Sequence, residues 1–177
     1  MILVTPLSGI EGSIARYRPS HLVTLLSPDH MISTPEGVAP DNHLRLPLDD
    51  VSEAWVSACA PCADDVGRLL RFGRSWNGDA PMIVHCWAGV SRSTAAAYAL
   101  LCDRLRPGSE LAIAQALRRR APHANPNPLI VRLADEALGR GGRMIAAIES
   151  IGRGEIVAEG ACVELPVLLD DLTSCLA

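Results

Sequence analysis

The sequence predicts an α/β fold with a central, mainly parallel sheet flanked by helices. Short runs of branched and leucine-type residues alternate with segments of helical periodicity, the order that gives parallel strands joined by crossover helices. One apolar run, Pro81-Met82-Ile83-Val84, leads directly into a glycine-containing loop, and helix signals begin as that loop ends.

Taken in order, residues 2–5 and 22–27 read as short buried strands separated by a helix over about 10–17, and Ser27-Pro28-Asp29-His30 closes the second strand with turn residues. His43-Leu44-Arg45-Leu46 alternates polar and apolar as a third strand does. Over 60–76, Val66, Leu69, Leu70 and Gly73 share one helical stripe ahead of the strand at 82–85. An alanine-rich helix over 93–105 is stopped by Pro107-Gly108, and Ser109 is placed to cap a helix running to about Arg120. Asn127 before Pro128 is a cap-then-proline start for a helix through Leu138, and the 139–142 run separates it from another at about 143–151. Residues 152–177 form a C-terminal extension in which Ile156-Val157 and Leu165-Pro166-Val167-Leu168-Leu169 are apolar enough to pack on the rest.

Composition narrows the class. A chain of 177 residues, 49% hydrophobic and 20% charged, fits one domain spanning 1–177 with material for a core. No stretch reaches the roughly 18–20 apolar residues a membrane span needs, and the opening Met-Ile-Leu-Val-Thr-Pro lacks signal-peptide character, so a cytoplasmic location is expected. Cys59, Cys62, Cys86, Cys102, Cys162 and Cys175 then read as reduced thiols. All 16 basic residues are arginine, which excludes lysine Schiff-base chemistry and the lysine-dependent nucleotide loop. A net charge of −4 argues against a nucleic-acid partner.

The chemistry concentrates in His85-Cys86-Trp87-Ala88-Gly89-Val90-Ser91-Arg92-Ser93. A strand that drops a cysteine into a tight loop, followed at once by a helix, aims backbone N–H groups and the positive helix end at one point, a cradle for a phosphate dianion lined by residues 87–92. The same field favours the thiolate of Cys86, which makes it the candidate nucleophile. Arg92 offers a fork of donors matching two phosphate oxygens at once.

This string resembles the signature of the cysteine-dependent protein tyrosine phosphatase superfamily: cysteine, five residues, arginine, then serine, preceded by histidine and with glycine in the loop. The resemblance covers about residues 20–138 and implies an α/β phosphatase with no metal or cofactor. In that family a hydroxyl at the place of Ser93 stabilises the departing thiolate, and the histidine at the place of His85 orients the loop.

A thiolate attacking phosphorus needs an acid to protonate the leaving group and a base to activate water. In dual-specificity phosphatases the acid closes an apolar-Pro-apolar-any-Asp stretch upstream of the cysteine. Leu46-Pro47-Leu48-Asp49-Asp50 resembles it and puts Asp50 in that place, with Asp49 the acid if the loop is shifted by one. An Asp pair ahead of Val51-Ser52-Glu53 also reads as a helix cap plus a solvated charge. Asn127 resembles the Pro-Asn after the catalytic helix in relatives, and is read here as a helix cap rather than a catalytic group. His21, His30, His43 and His123 show no metal spacing. Cys59-Ala60-Pro61-Cys62 has thioredoxin or half-zinc spacing but lacks both a preceding strand and a second ligand pair, and reads as a partly buried pair at a helix start.

The acid stretch lacks the Trp-Pro-Asp of tyrosine-specific phosphatases and the chain is short, so the likeness is to compact, dual-specificity-like enzymes of bacterial type. The loop interior has no basic residue of the kind inositol-lipid phosphatases use, which makes a phosphorylated protein or peptide, phosphotyrosine first, the expected substrate. Trp87 is placed either to wall the substrate ring or to pack under the loop. The alternatives are a phosphatase of a nucleotide, sugar or lipid headgroup, and a phosphate-binding module without turnover. Oligomeric state is not legible.

Overall fold

The computed structural model describes residues 1–174. Strands β1 (Ile2–Pro6), β2 (His21–Leu26), β3 (His43–Pro47), β4 (Met82–Cys86) and β5 (Val163–Leu165) form one sheet in the order β3-β2-β4-β1-β5. The first four are mutually parallel and β5 runs antiparallel to β1 at the edge. Helices α1 (Ile10–Tyr17), α2 (Ala63–Ser75), α3 (Arg92–Arg104), α4 (Glu110–Arg120), α5 (Pro128–Ala137), α6 (Arg143–Ser150) and α7 (Leu169–Thr173) surround it.

Successive side chains in a strand face opposite sides, and the two faces of this sheet differ. Ile2, Val4, Val23, Leu25, Leu46, Met82, Val84 and Cys86 point into the larger core with α2, α3 and α5. Leu3, Leu22 and Ile83 point the other way, onto Ile10 and Ile14 of α1 and Val38. Helix α3 is buried on every side from Arg92 to Cys102, and the alanines at 95–97 and 99 let neighbours approach its backbone closely. The Leu100 side chain of the same helix presses on Gly73 of α2, where a Cβ would lie 2.3 Å from Leu100 Cδ2. Across the base of α3, Glu110 and Arg140 form a buried ion pair at 3.3 Å, and Arg140 also donates to the Cys102 carbonyl. The thiol of Cys102, in this apolar packing, is pushed up to about 12 by desolvation and is inert.

Several expectations need correction. The C-terminal extension holds a short strand and helix, β5 and α7, too brief to leave a periodic signal. Ile156 is fully exposed and Val157 and Leu168 are exposed as well, so these residues do not pack on the core; Val163, Leu165 and Leu172 do. Ser109 stands at the start of α4, but its side chain makes no capping bond; Glu110 turns back to accept from the Gly108 N–H at 2.8 Å instead. Cys59 is half-buried and Cys62 exposed at the start of α2, while Cys175 lies outside the described residues. Among the described residues no helix is long and apolar enough to cross a membrane, and no cluster of three or more metal-ligating side chains occurs.

Candidate functional site

The loop joining β4 to α3 lies at the carboxyl end of the sheet, where parallel α/β folds bind ligands. Four of its carbonyls are turned outward, onto neighbouring segments. Trp87 O accepts from Leu7 N–H at 3.0 Å, Ala88 O from Gly160 N–H at 2.8 Å, Val90 O from Asn125 N–H at 2.9 Å, and Ser91 O from Asn127 N–H at 3.2 Å. In a planar trans peptide the N–H points opposite to the C=O, so the amides of Ala88, Gly89, Ser91 and Arg92 are aimed at the inside of the loop. Gly89 makes this path possible: its φ is +71°, and a Cβ would lie 2.8 Å from Pro6 N.

Cys86 is buried, and its Sγ lies 3.1 Å from Ser93 Oγ. Arg92, the first residue of α3, is also buried; its Nη1 donates to the Leu48 carbonyl at 2.9 Å, and its Nε stands 3.7 Å from Asp50 Oδ2. Beside it opens a cleft of about 270 Å³ lined by Leu26, Ser27, His30, Trp87 and Arg92. Trp87 is 54% exposed, so it stands on the rim rather than under the loop, with the His30 ring edge-on at 5.1 Å.

The two aspartates diverge, as neighbours on an extended segment do. Asp49 accepts from Ser57 Oγ at 2.6 Å, and hydroxyls of Ser57 and Ser27, with help from Arg92, hold its carboxyl below the usual range. Asp50 turns to the loop instead: Oδ1 accepts from Ser91 Oγ at 2.7 Å and from Asn127 Nδ2 at 2.9 Å. Asn127 thus has two tasks. Its Oδ1 caps α5 by accepting from Leu129 and Ile130 N–H, while its amide group grips Asp50 and the Val51 carbonyl.

His85 is completely buried, and desolvation lowers it to about 4, so the ring is neutral. Its Nε2 is 2.7 Å from Thr24 Oγ1. The residues singled out from the sequence, Cys86, Arg92, Ser93, Asp50 and loop residues 87–91, therefore come together. The Asn127 contact with Asp50 and the His30 wall were missed: the Pro-Asn likeness was a signal for the first, and nothing local in the sequence points to the second.

Comparison with known proteins bears on this geometry. The protein-tyrosine phosphatase family model matches residues 51–123, which contain the whole loop and begin just after Asp50. The crystal structure of DUSP15 is similar in fold, with a TM-score of 0.61 over 86% of this chain and 94% of that one at 18% identity. No curated protein matches the chain at a significant level. The chain is therefore similar over residues 51–123 to the protein-tyrosine phosphatase family, and it carries that loop on a fold shared with DUSP15.

Proposed function

We propose that this protein is a phosphatase that hydrolyses phosphotyrosine, and more slowly other phosphorylated side chains, in proteins or peptides through a cysteinyl-phosphate intermediate. The observation that carries the reading is Cys86 Sγ at 3.1 Å from Ser93 Oγ at the base of a loop whose carbonyls at 87, 88, 90 and 91 are tied to neighbouring segments. Loop amides and the Arg92 guanidinium bind the three non-bridging phosphate oxygens. The Cys86 thiolate attacks phosphorus in line; the S–P bond forms as the P–O bond to the leaving group breaks, and the leaving oxygen takes the proton of the Asp50 carboxyl. Asp50, now a carboxylate, takes a proton from water as the water oxygen attacks phosphorus. The S–P bond breaks, phosphate departs, and the Ser93 hydroxyl donates to the returning thiolate.

Asp50 is favoured over Asp49 because its carboxyl faces Ser91 and Arg92 at the loop, while the Asp49 carboxyl is turned toward Ser57. The aromatic edge of Trp87 and His30 beside Arg92 suits a flat phenyl ring, which supports phosphotyrosine as the preferred substrate. Turnover measured on phosphotyrosine peptide, phosphoserine peptide, a nucleoside monophosphate and a phosphoinositide tests this. The phosphotyrosine peptide is expected to give the highest kcat/KM; preference for a non-peptide phosphate, or absence of turnover on all four, overturns it.

A further inference from the structure

A single exposed apolar side chain is ordinary on a protein surface, but a concentration of them marks a place of contact. Among the described residues seven large apolar side chains are exposed, and five of them stand on segments tied to the loop between β4 and α3. Trp87 belongs to the loop itself. Trp55, 85% exposed, and Val56 stand at the tip of segment 50–58, whose Asp50 accepts from Ser91 Oγ at 2.7 Å. Ile156, fully exposed, and Val157 stand at the tip of segment 152–160, whose Gly160 N–H donates to the Ala88 carbonyl at 2.8 Å.

Both tips are braced at their bases. Asp49 N–H donates to the Cys59 carbonyl at 2.8 Å and Ser57 Oγ donates to Asp49, which closes the neck of 50–58, while Asn127 Nδ2 holds the Val51 carbonyl at 3.0 Å. In the other segment Arg118 Nη2 donates to the Gly152 carbonyl at 2.7 Å, Glu155 N–H donates to the Pro122 carbonyl at 2.9 Å, and Glu159 accepts from Ser8. Gly154 and Gly160 lie so close to His123 and Ala124 that neither position has room for a Cβ. An apolar side chain displayed on a braced loop loses little conformational freedom when a partner covers it, so its burial goes into affinity.

Chain length limits how far each tip stands from the loop. At no more than about 3.6 Å per residue, Trp55 lies within roughly 18 Å of Asp50 and Ile156 within roughly 14 Å of Gly160, the reach of about five residues of extended polypeptide. The two segments carry Glu53, Glu155 and Glu159 against Arg153, with Arg132 3.5 Å from Glu53, so neither tip has the cationic surround that draws a protein to anionic lipid. We propose that Trp55 and Ile156 are specificity-determining residues of this site, gripping bulky apolar residues that flank the phosphorylated one, within about five positions of it, in a polypeptide substrate. The proposal rests on the phosphatase reading for the chemistry at Cys86, but the grip itself is measurable without turnover.

Phenyl phosphate and two phosphotyrosine peptides with about five residues on each side, one bearing leucines in its flanks and the other serines, test it. Wild type is expected to show a KM at least about tenfold lower for the leucine peptide; Trp55→Ser and Ile156→Ser in one chain are expected to abolish that difference while phenyl phosphate turnover stays within about twofold. Equal KM values for the two peptides in wild type overturn the proposal, and so does a leucine preference that survives the double substitution. An equal fall on phenyl phosphate also overturns it, since the two residues would then be props of the loop. Equal turnover of both peptides, with wild-type binding to phosphatidylcholine vesicles that the double substitution removes, overturns it in favour of a membrane surface. Absence of phenyl phosphate turnover in wild type strikes the phosphatase reading instead. Calorimetry of both peptides on Cys86→Ser then decides the grip alone: the leucine peptide is expected to bind at least about tenfold tighter, and equal affinities overturn the proposal.

Discussion

The Nε of Arg92 and the Oδ2 of Asp50 stand 3.7 Å apart, on residues that approach the loop from opposite sides, one from α3 and the other from the segment after β3. The proposed clamp and the proposed acid are thus held in one electrostatic unit, with Ser91 and Asn127 fixing the second carboxylate oxygen.

Asp50→Asn is expected to cut turnover of substrates with poor leaving groups by about 10²–10⁴-fold and to flatten the alkaline limb of the pH–rate profile. Asp49→Asn is expected to leave that limb in place. A comparison of the two profiles on an alkyl and an aryl phosphate checks the assignment, and the reverse outcome moves the acid to Asp49.

Arg92→Lys removes the planar fork and the bond from Nη1 to the Leu48 carbonyl. Because a point charge cannot make two parallel hydrogen bonds to phosphate oxygens, kcat is expected to fall by at least about 10²-fold with the fold intact. Single-turnover kinetics beside a melting curve separate the two effects.

Cys86→Ser replaces the thiolate by an unassisted hydroxyl while leaving the amide cradle untouched. Turnover is expected to vanish and phosphopeptide binding to persist, read by calorimetry. Turnover within tenfold of wild type would show that Cys86 is not the nucleophile.

Gly89→Ala forces a side chain into a left-handed conformation and against the Pro6 backbone nitrogen. The conformational penalty alone is about 1–2 kcal/mol, and the contact adds to it because backbone cannot swing aside. Denaturant unfolding is expected to show a loss of at least about 2 kcal/mol, with weaker phosphate binding.

His43 and His85 are both lowered to about 4 by burial, so between that value and about 6.5 the unfolded chain binds protons that the folded one refuses. Stability therefore falls as pH drops from about 6.5 to about 4, by roughly 2–3 kcal/mol for each ring. Urea midpoints across that range, compared between wild type and His43→Gln, check both the sign and the share of one ring.

The parts of the site legible in the sequence are those that local chain geometry enforces. Cys86, Arg92 and Ser93 belong to one continuous strand, loop and helix start, so their spacing already implies convergence. The parallel strands and α1 were readable because each has a strong period and is bounded by turn residues. Asn127 was readable as a cap, since its partners lie two and three residues on, but not as a partner of Asp50, which is 77 positions away. The Thr24 pairing with His43 and His85 depends on strand order, which periodicity does not reveal. Ile156 misled because hydrophobicity alone does not say whether a short segment finds a surface to cover.

The loop carbonyls have anchors from three distant parts of the chain: Leu7 just after β1, Asn125 and Asn127 between α4 and α5, and Gly160 in the segment before β5. With its outer rim bolted in this way, the anion receptor has little shape left to find when a dianion arrives. Lock-and-key docking follows, with an inert tetrahedral oxyanion such as tungstate entering without a slow isomerisation step. Its capture rate should rise linearly with concentration and show no plateau, unless the bolt at Gly160 is withdrawn by shortening the chain before it.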